Sequence, residues 1–98
     1  MKCKAYESFF ENFSNKTRIK IIESLLNDPK SVTEICNNIS EEQSKVSHNL
    51  KRLTDCNFVD VKQQGKQRIY SLNKDTIIPI LEIVDKHVHK HCEGECSK

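Results

Sequence analysis

Residues 43–53 read Gln43-Ser44-Lys45-Val46-Ser47-His48-Asn49-Leu50-Lys51-Arg52-Leu53. Val46, Leu50 and Leu53 recur at the spacing that stacks side chains on one face of a helix. The other positions are polar or basic, so this helix packs one side on a core and offers the other to solvent or a partner. A second short helix precedes it. Ser31-Val32-Thr33-Glu34 sets a hydroxyl three residues before a carboxylate, the spacing at which each side chain satisfies the other's backbone N–H. It opens a helix carrying Val32, Ile35, Cys36 and Ile39 inward. Ser40-Glu41-Glu42-Gln43 repeats the pattern and is expected to cap the helix that follows. Two helices so closely spaced, the second opening on small polar side chains, make a helix-turn-helix pattern.

Working outward, Ala5, Tyr6, Phe9, Phe10 and Phe13 give a first helix over 4–13 a strongly aromatic face. Ser14 or Asn15 can cap a second, whose buried stripe is expected to be Ile19, Ile21, Ile22, Leu25 and Leu26, ended by Asn27-Asp28-Pro29. Beyond Leu53 the period shortens to two. Phe58-Val59-Asp60-Val61-Lys62 and Arg68-Ile69-Tyr70-Ser71-Leu72 alternate as strands do, around Gln63-Gln64-Gly65-Lys66-Gln67. That is a hairpin with a polar, basic tip: a wing. Ile77, Ile78, Ile80, Leu81, Ile83, Val84 and Val88 make a last helix, apolar over more than one face, which Gly94 would stop. The expected fold is mainly α with a β-hairpin wing, in the order α-α-α-α-β-β-α: a winged helix-turn-helix.

A chain of 98 residues is one domain with a modest core. With 36% hydrophobic residues and no Trp, it would gain by burying apolar surface against a second copy. No apolar run approaches the roughly 20 residues that cross a bilayer, and no signal peptide follows Met1-Lys2-Cys3-Lys4. No membrane partner and a cytoplasmic location are therefore expected. Five cysteines in that reducing compartment read as metal ligands or redox thiols before disulfides. The net charge of +2 is unevenly placed. Residues 43–70 hold six basic side chains against two acidic, while residues 1–42 and 71–98 each sum to −1. A polyanion is the natural partner of the middle segment.

In a helix-turn-helix the second helix enters the major groove of double-stranded DNA. Gln43, Ser44, Lys45, Ser47 and His48, then Lys51, occupy its exposed turns. Gln can contact adenine through both amide atoms, and Ser can donate or accept at several bases. Lys45, Lys51 and Arg52 suit phosphates, which fix register without reading sequence. Lys66 and Arg68 on the wing would reach the backbone or a minor groove.

The block 43–53 resembles the recognition helix of the ArsR/SmtB family of metal-sensing repressors. Thr54-Asp55-Cys56-Asn57-Phe58-Val59 is similar to that family's turn into the wing, where a small residue and Gly usually stand at 56 and 57. Arg68-Ile69-Tyr70-Ser71-Leu72 resembles its returning strand, and Asn15-Lys16-Thr17-Arg18-Ile19 the start of its second helix. The resemblance runs over about residues 8–88. It implies a homodimeric winged-helix repressor, residues 1–98 forming one domain with 1–13 and 74–92 as dimerisation helices. It also implies that an effector, usually a metal ion, lowers affinity for operator DNA.

The family's metal sites are only partly present. A Cys-x-Cys pair on the third helix is reduced to Cys36, with Asn38 in the second place; Cys3 could add one thiolate. Asp85-Lys86-His87 resembles half of a site on the last helix, but the other half would fall at or past Lys98. A third variant keeps Cys56, with Arg52 at its companion position. What remains is the tail His87-Val88-His89-Lys90-His91-Cys92-Glu93-Gly94-Glu95-Cys96. On a continued helix His87 and His91 share one face, and His89, Cys92 and Cys96 a neighbouring one. Residues 87–98 are thus a candidate metal-binding tail, with Asp85, His87, His89, His91, Cys92 and Cys96 as ligands and Cys3, Cys36 and Cys56 as further thiolates. Mixed imidazole and thiolate sets suit Zn(II); Cu(I) would favour the thiolates, and Ni(II), Co(II) or Cd(II) are other candidates.

The function expected is a DNA-binding transcriptional repressor whose operator affinity is set by a metal near the last helix. A redox repressor using Cys3, Cys36, Cys92 or Cys96 is one alternative. A metal-buffering or protein-interaction module on the same scaffold is another. An enzyme is not expected: Ser47 and His48 are helical neighbours and point apart, so they cannot pair as nucleophile and base.

Overall fold

A computed structural model describes residues 4–91. In chain order it holds α1 (Lys4–Glu11), α2 (Lys16–Ser24), β1 (Lys30–Ser31), α3 (Val32–Ile39), α4 (Gln43–Asp55), β2 (Val59–Gln64), β3 (Gln67–Leu72) and α5 (Ile77–His91). This is the expected winged helix-turn-helix with one short strand added. β1 pairs with β3 through Lys30 opposite Tyr70 and Ser31 opposite Ile69, giving an antiparallel sheet in the order β1-β3-β2. Two residues are too few to show a period, so this strand has no signature in the sequence.

The core is built by α2, α3, α4 and the base of the hairpin. Ile21, Ile22 and Leu25 meet Ile35, then Val46, Leu50 and Leu53, with Phe58, Val59, Tyr70, Leu72 and Ile77 closing it. The apolar stripe of α4 is buried as its spacing predicts. The expected stripe of α2 is too wide: Ile19 and Leu26 face solvent. The helix ends at Ser24, before the Asn-Asp-Pro stop, with Leu25 as its C-cap, which leaves Leu26 outside the packed face.

Two helix ends explain the turn chemistry. Asn15 caps α2 by accepting from Arg18 N–H at 3.0 Å. Ser31 caps α3 in both directions, its Oγ accepting from Glu34 N–H while Glu34 Oε1 accepts from Ser31 N–H at 2.9 Å. Ser40 does not repeat that device. It takes a left-handed φ of +56°, and Glu41 N–H closes back onto the Cys36 carbonyl at 3.3 Å, so it ends α3 instead of starting α4. Reversing the chain within so few residues needs one positive φ, and that requirement overrides the capping pattern. Glu42 precedes Gln43 as N-cap without a side-chain bond.

Asn57 ends α4 in the left-handed conformation that glycine adopts most readily. At φ +60° it lets Asn57 N–H reach Thr54 O and Phe58 N–H reach Leu53 O at 2.9 Å. This paired closure ends a helix and drops the next residue into the core; Phe58 is fully buried. The hairpin is tighter than expected, its strands running to Gln64 and from Gln67 and leaving Gly65 and Lys66 at the tip. Gly65 has φ +62° and open space where a Cβ would stand, so the constraint there is conformational.

Candidate nucleic-acid interface and metal ligands

α4 divides its side chains cleanly. Val46, Asn49, Leu50 and Leu53 are buried, while Gln43, Ser44, Lys45, Ser47, His48, Lys51 and Arg52 are all exposed. Lys66 and Arg68 are exposed on the wing. A groove of about 490 Å³ lies between helix and hairpin, lined by Ser47, Lys51, Asp55, Val61 and Arg68 among others. Helix α4 and the wing thus share a concave surface on which Lys51 and Arg68 stand beside Asp55.

Its lysines are lightly held. Lys45 Nζ lies 3.6 Å from Glu41 Oε1 and Lys51 Nζ 3.6 Å from Asp55 Oδ2, each one helical turn apart. The Lys51–Asp55 pair is exposed on both sides, and such pairs contribute about 0.3–0.5 kcal/mol; Glu41 in the other pair is half-buried. Among the described residues Arg52, Lys66 and Arg68 have no carboxylate within ion-pair distance. Beneath the surface, Arg18 Nε donates to Asn49 Oδ1 at 3.0 Å, which fixes α4 from its buried side.

The candidate metal ligands fall on exposed turns of α5. His89 Nε2 lies 3.4 Å from Asp85 Oδ1, and the rings of His87 and His91 stand 4.7 Å apart. The contacts of Asp85 and His87 therefore run along the helix to His89 and His91. Each pair offers two donors to an ion, and among the described residues no three His, Cys, Asp or Glu form a group able to hold one. A tetrahedral site needs four. The donor chemistry fits a borderline metal, and the donor count fits half a site. Cys92, Cys96 and Cys3 lie outside the described residues. Cys36 is half-buried and packed against the core, as a small apolar side chain would be. Cys56 is exposed at the end of α4.

A sequence model of the arsR family of bacterial regulatory proteins matches residues 15–61, from the α2 cap through the helix-turn-helix into β2. That stretch is an ArsR-family domain. It is 29% identical over 85 residues to the HTH-type transcriptional regulator NmtR of Mycobacterium tuberculosis, covering 84% of this chain and 71% of that one. It is 26% identical over 73 residues to the "Probable mercury resistance operon repressor" of Streptomyces lividans, covering 74% of this chain and 58% of the relative. The fold matches the homodimeric winged helix-turn-helix DNA-binding domain Mb0332 of Mycobacterium bovis with TM-score 0.83. Identity there is 18%, over 91% of this chain and 82% of that one.

What the sequence alone does not reveal is the polar layer under α4. Asn49 interrupts the apolar face between Val46 and Leu50, and that interruption was the available signal. Arg18 sits within the stretch that resembles the family's second helix, yet composition gave no reason to place a cation inside. Asn12, which accepts from Arg18 Nη1 at 3.2 Å, left no trace at all.

Among the described residues no helix is long and apolar enough to cross a membrane.

Proposed function

We propose that this chain is a transcriptional repressor that binds double-stranded operator DNA as a homodimer, with its affinity modulated by a metal ion near the end of α5. The observation that carries the DNA reading is the exposed Gln43–Arg52 face of α4 beside a basic wing, on an ArsR-family scaffold. Gln43, Ser44, Ser47 and His48 would meet base edges. Lys45, Lys51, Arg52, Lys66 and Arg68 would neutralise phosphates. The homodimer is supported by outward apolar side chains on the two terminal helices, Tyr6 and Phe10 of α1 and Ile83 and Val84 of α5.

The metal reading rests on donor chemistry and on one relative whose name refers to mercury resistance. Asp85 with His89, or His87 with His91, would supply two ligands; Cys92 and Cys96, or the second copy, would complete the set. When bound, the ion would tie chain segments into one geometry. It shifts DNA affinity only as far as it prefers one arrangement of the two recognition helices.

The test takes both parts in one preparation. Reversing charge at Lys51→Glu and Arg52→Glu should lower affinity for duplex DNA by about two orders of magnitude and reduce the salt slope by about two. Duplex binding equal to wild type would sink the DNA reading. Titrating the reduced protein with Co(II) should give a thiolate charge-transfer band that disappears in Cys92→Ser/Cys96→Ser. A band that survives moves the site to Cys3, Cys36 or Cys56, and no saturable binding ends the metal reading.

A further inference from the structure

Arg18 is the one buried charged side chain among the described residues, 9% exposed. A guanidinium keeps its charge at any accessible pH, so burying it is costly unless its donors are met. No carboxylate among the described residues lies within ion-pair distance of it. Its partners are two neutral amides: Nε donates to Asn49 Oδ1 at 3.0 Å and Nη1 to Asn12 Oδ1 at 3.2 Å. Each amide is itself aimed. Asn49 Nδ2 donates to the Lys45 carbonyl at 2.9 Å, and Asn12 Nδ2 to the Ser8 carbonyl at 3.3 Å. Four hydrogen bonds therefore run unbroken from Ser8 in α1, through Asn12, Arg18 and Asn49, to Lys45 in the first turn of α4.

Two amide oxygens satisfy this charge only when the planar fork and both acceptors are aligned, so the arrangement specifies position. α1 has little else to hold it. None of its side chains is buried, and its ring contact to the body is Phe9 on Phe58, 5.0 Å between centroids. We propose that Arg18 is a positioning residue through which the placement of α1 sets the placement of the first turns of α4. The affinity of the chain for duplex DNA then depends on α1 through one buried guanidinium. The duplex clause rests on the function proposed above; the link between α1 and α4 stands on the hydrogen bonds alone.

The experiment uses the full chain as wild type, Asn12→Ala and Asn12→Asp. None of these touches the exposed face of α4, and the aspartate keeps an oxygen for Nη1. Amide hydrogen exchange is followed on the free protein. Binding is followed to a duplex that the wild type selects from a random double-stranded pool. Asn12→Ala should speed exchange at 46–50 about tenfold while Ile21, Ile22 and Ile35 stay near wild type. It should weaken the selected duplex about fivefold or more with an unchanged salt slope, because no phosphate contact is lost. Asn12→Asp should fall between the two. Exchange at 46–50 that matches wild type, or that rises only as much as the whole core, overturns the link. Local loosening with unaltered duplex affinity overturns the duplex clause. A wild type that selects no duplex refutes the DNA reading itself, and the exchange result still decides the link.

Discussion

α4 and α5 are helices of similar length, 13 and 15 residues, and both are amphipathic, yet they end in opposite conditions. α4 buries Val46, Asn49, Leu50 and Leu53 within its own chain and sends only polar side chains outward. α5 buries Ile77 alone and leaves Ile83 68% and Val84 48% exposed. The first helix resembles the last, with Tyr6 and Phe10 outward. The helix-turn-helix is complete within one chain; the two terminal helices carry apolar surface that one chain does not use.

The comparison breaks most sharply in the core. Leu50→Ala, at a position fully enclosed by its own chain, should cost about 2–5 kcal/mol by the lost transfer energy plus the cavity left behind. Chemical denaturation measures it, and a loss under 1 kcal/mol would mean that α4 is less completely packed than its burial implies. Ile83→Glu with Val84→Glu should leave the unfolding of a single chain within about 0.5 kcal/mol, as exposed substitutions do. The same pair should weaken association about 100-fold or more in sedimentation equilibrium. A wild type that is already monomeric at tens of micromolar would remove the meaning given to the outward face. The smallest effect belongs to a cap: Ser31→Ala removes one of two reciprocal bonds at the start of α3 and should cost about 1 kcal/mol. A value near zero would show that pairing with Ile69 holds the helix start by itself.

The parts of the fold legible in the sequence are those with a period. Val46, Leu50 and Leu53 announce α4, the alternation around 58–72 announces the wing, and Ser31 with Glu34 announces a cap that forms in both directions. Less legible is whatever depends on contacts between distant residues. Ser40 carries the same side chain as Ser31 and stands at a similar spacing, but the tight reversal between helices sets its φ. Val61 follows the strand alternation and still faces outward, because the hairpin extends past the core that would cover it. The exposed polar and basic face of α4 could be read because exposed charge needs no partner to be recognised. The layer of Asn12, Arg18 and Asn49 could not, because its members are 31 and 6 residues apart and each looks like a surface side chain alone.

Asn73 gives α5 a mechanical character. Its backbone N–H donates to Phe58 O at 2.9 Å and its Nδ2 to Asn57 O at 2.9 Å, so it is pinned to the turn that ends α4. Its Oδ1 accepts from Asp75 N–H and Thr76 N–H, and its carbonyl takes the first N–H groups of α5. The helix beyond is fifteen residues, about 22 Å long at 1.5 Å per residue. A rod fixed at one end works as a lever with Asn73 as its fulcrum. A tilt of about 10° moves the His91 end through about 4 Å over that length, so a small rotation at the turn that ends α4 becomes a large displacement at the histidines.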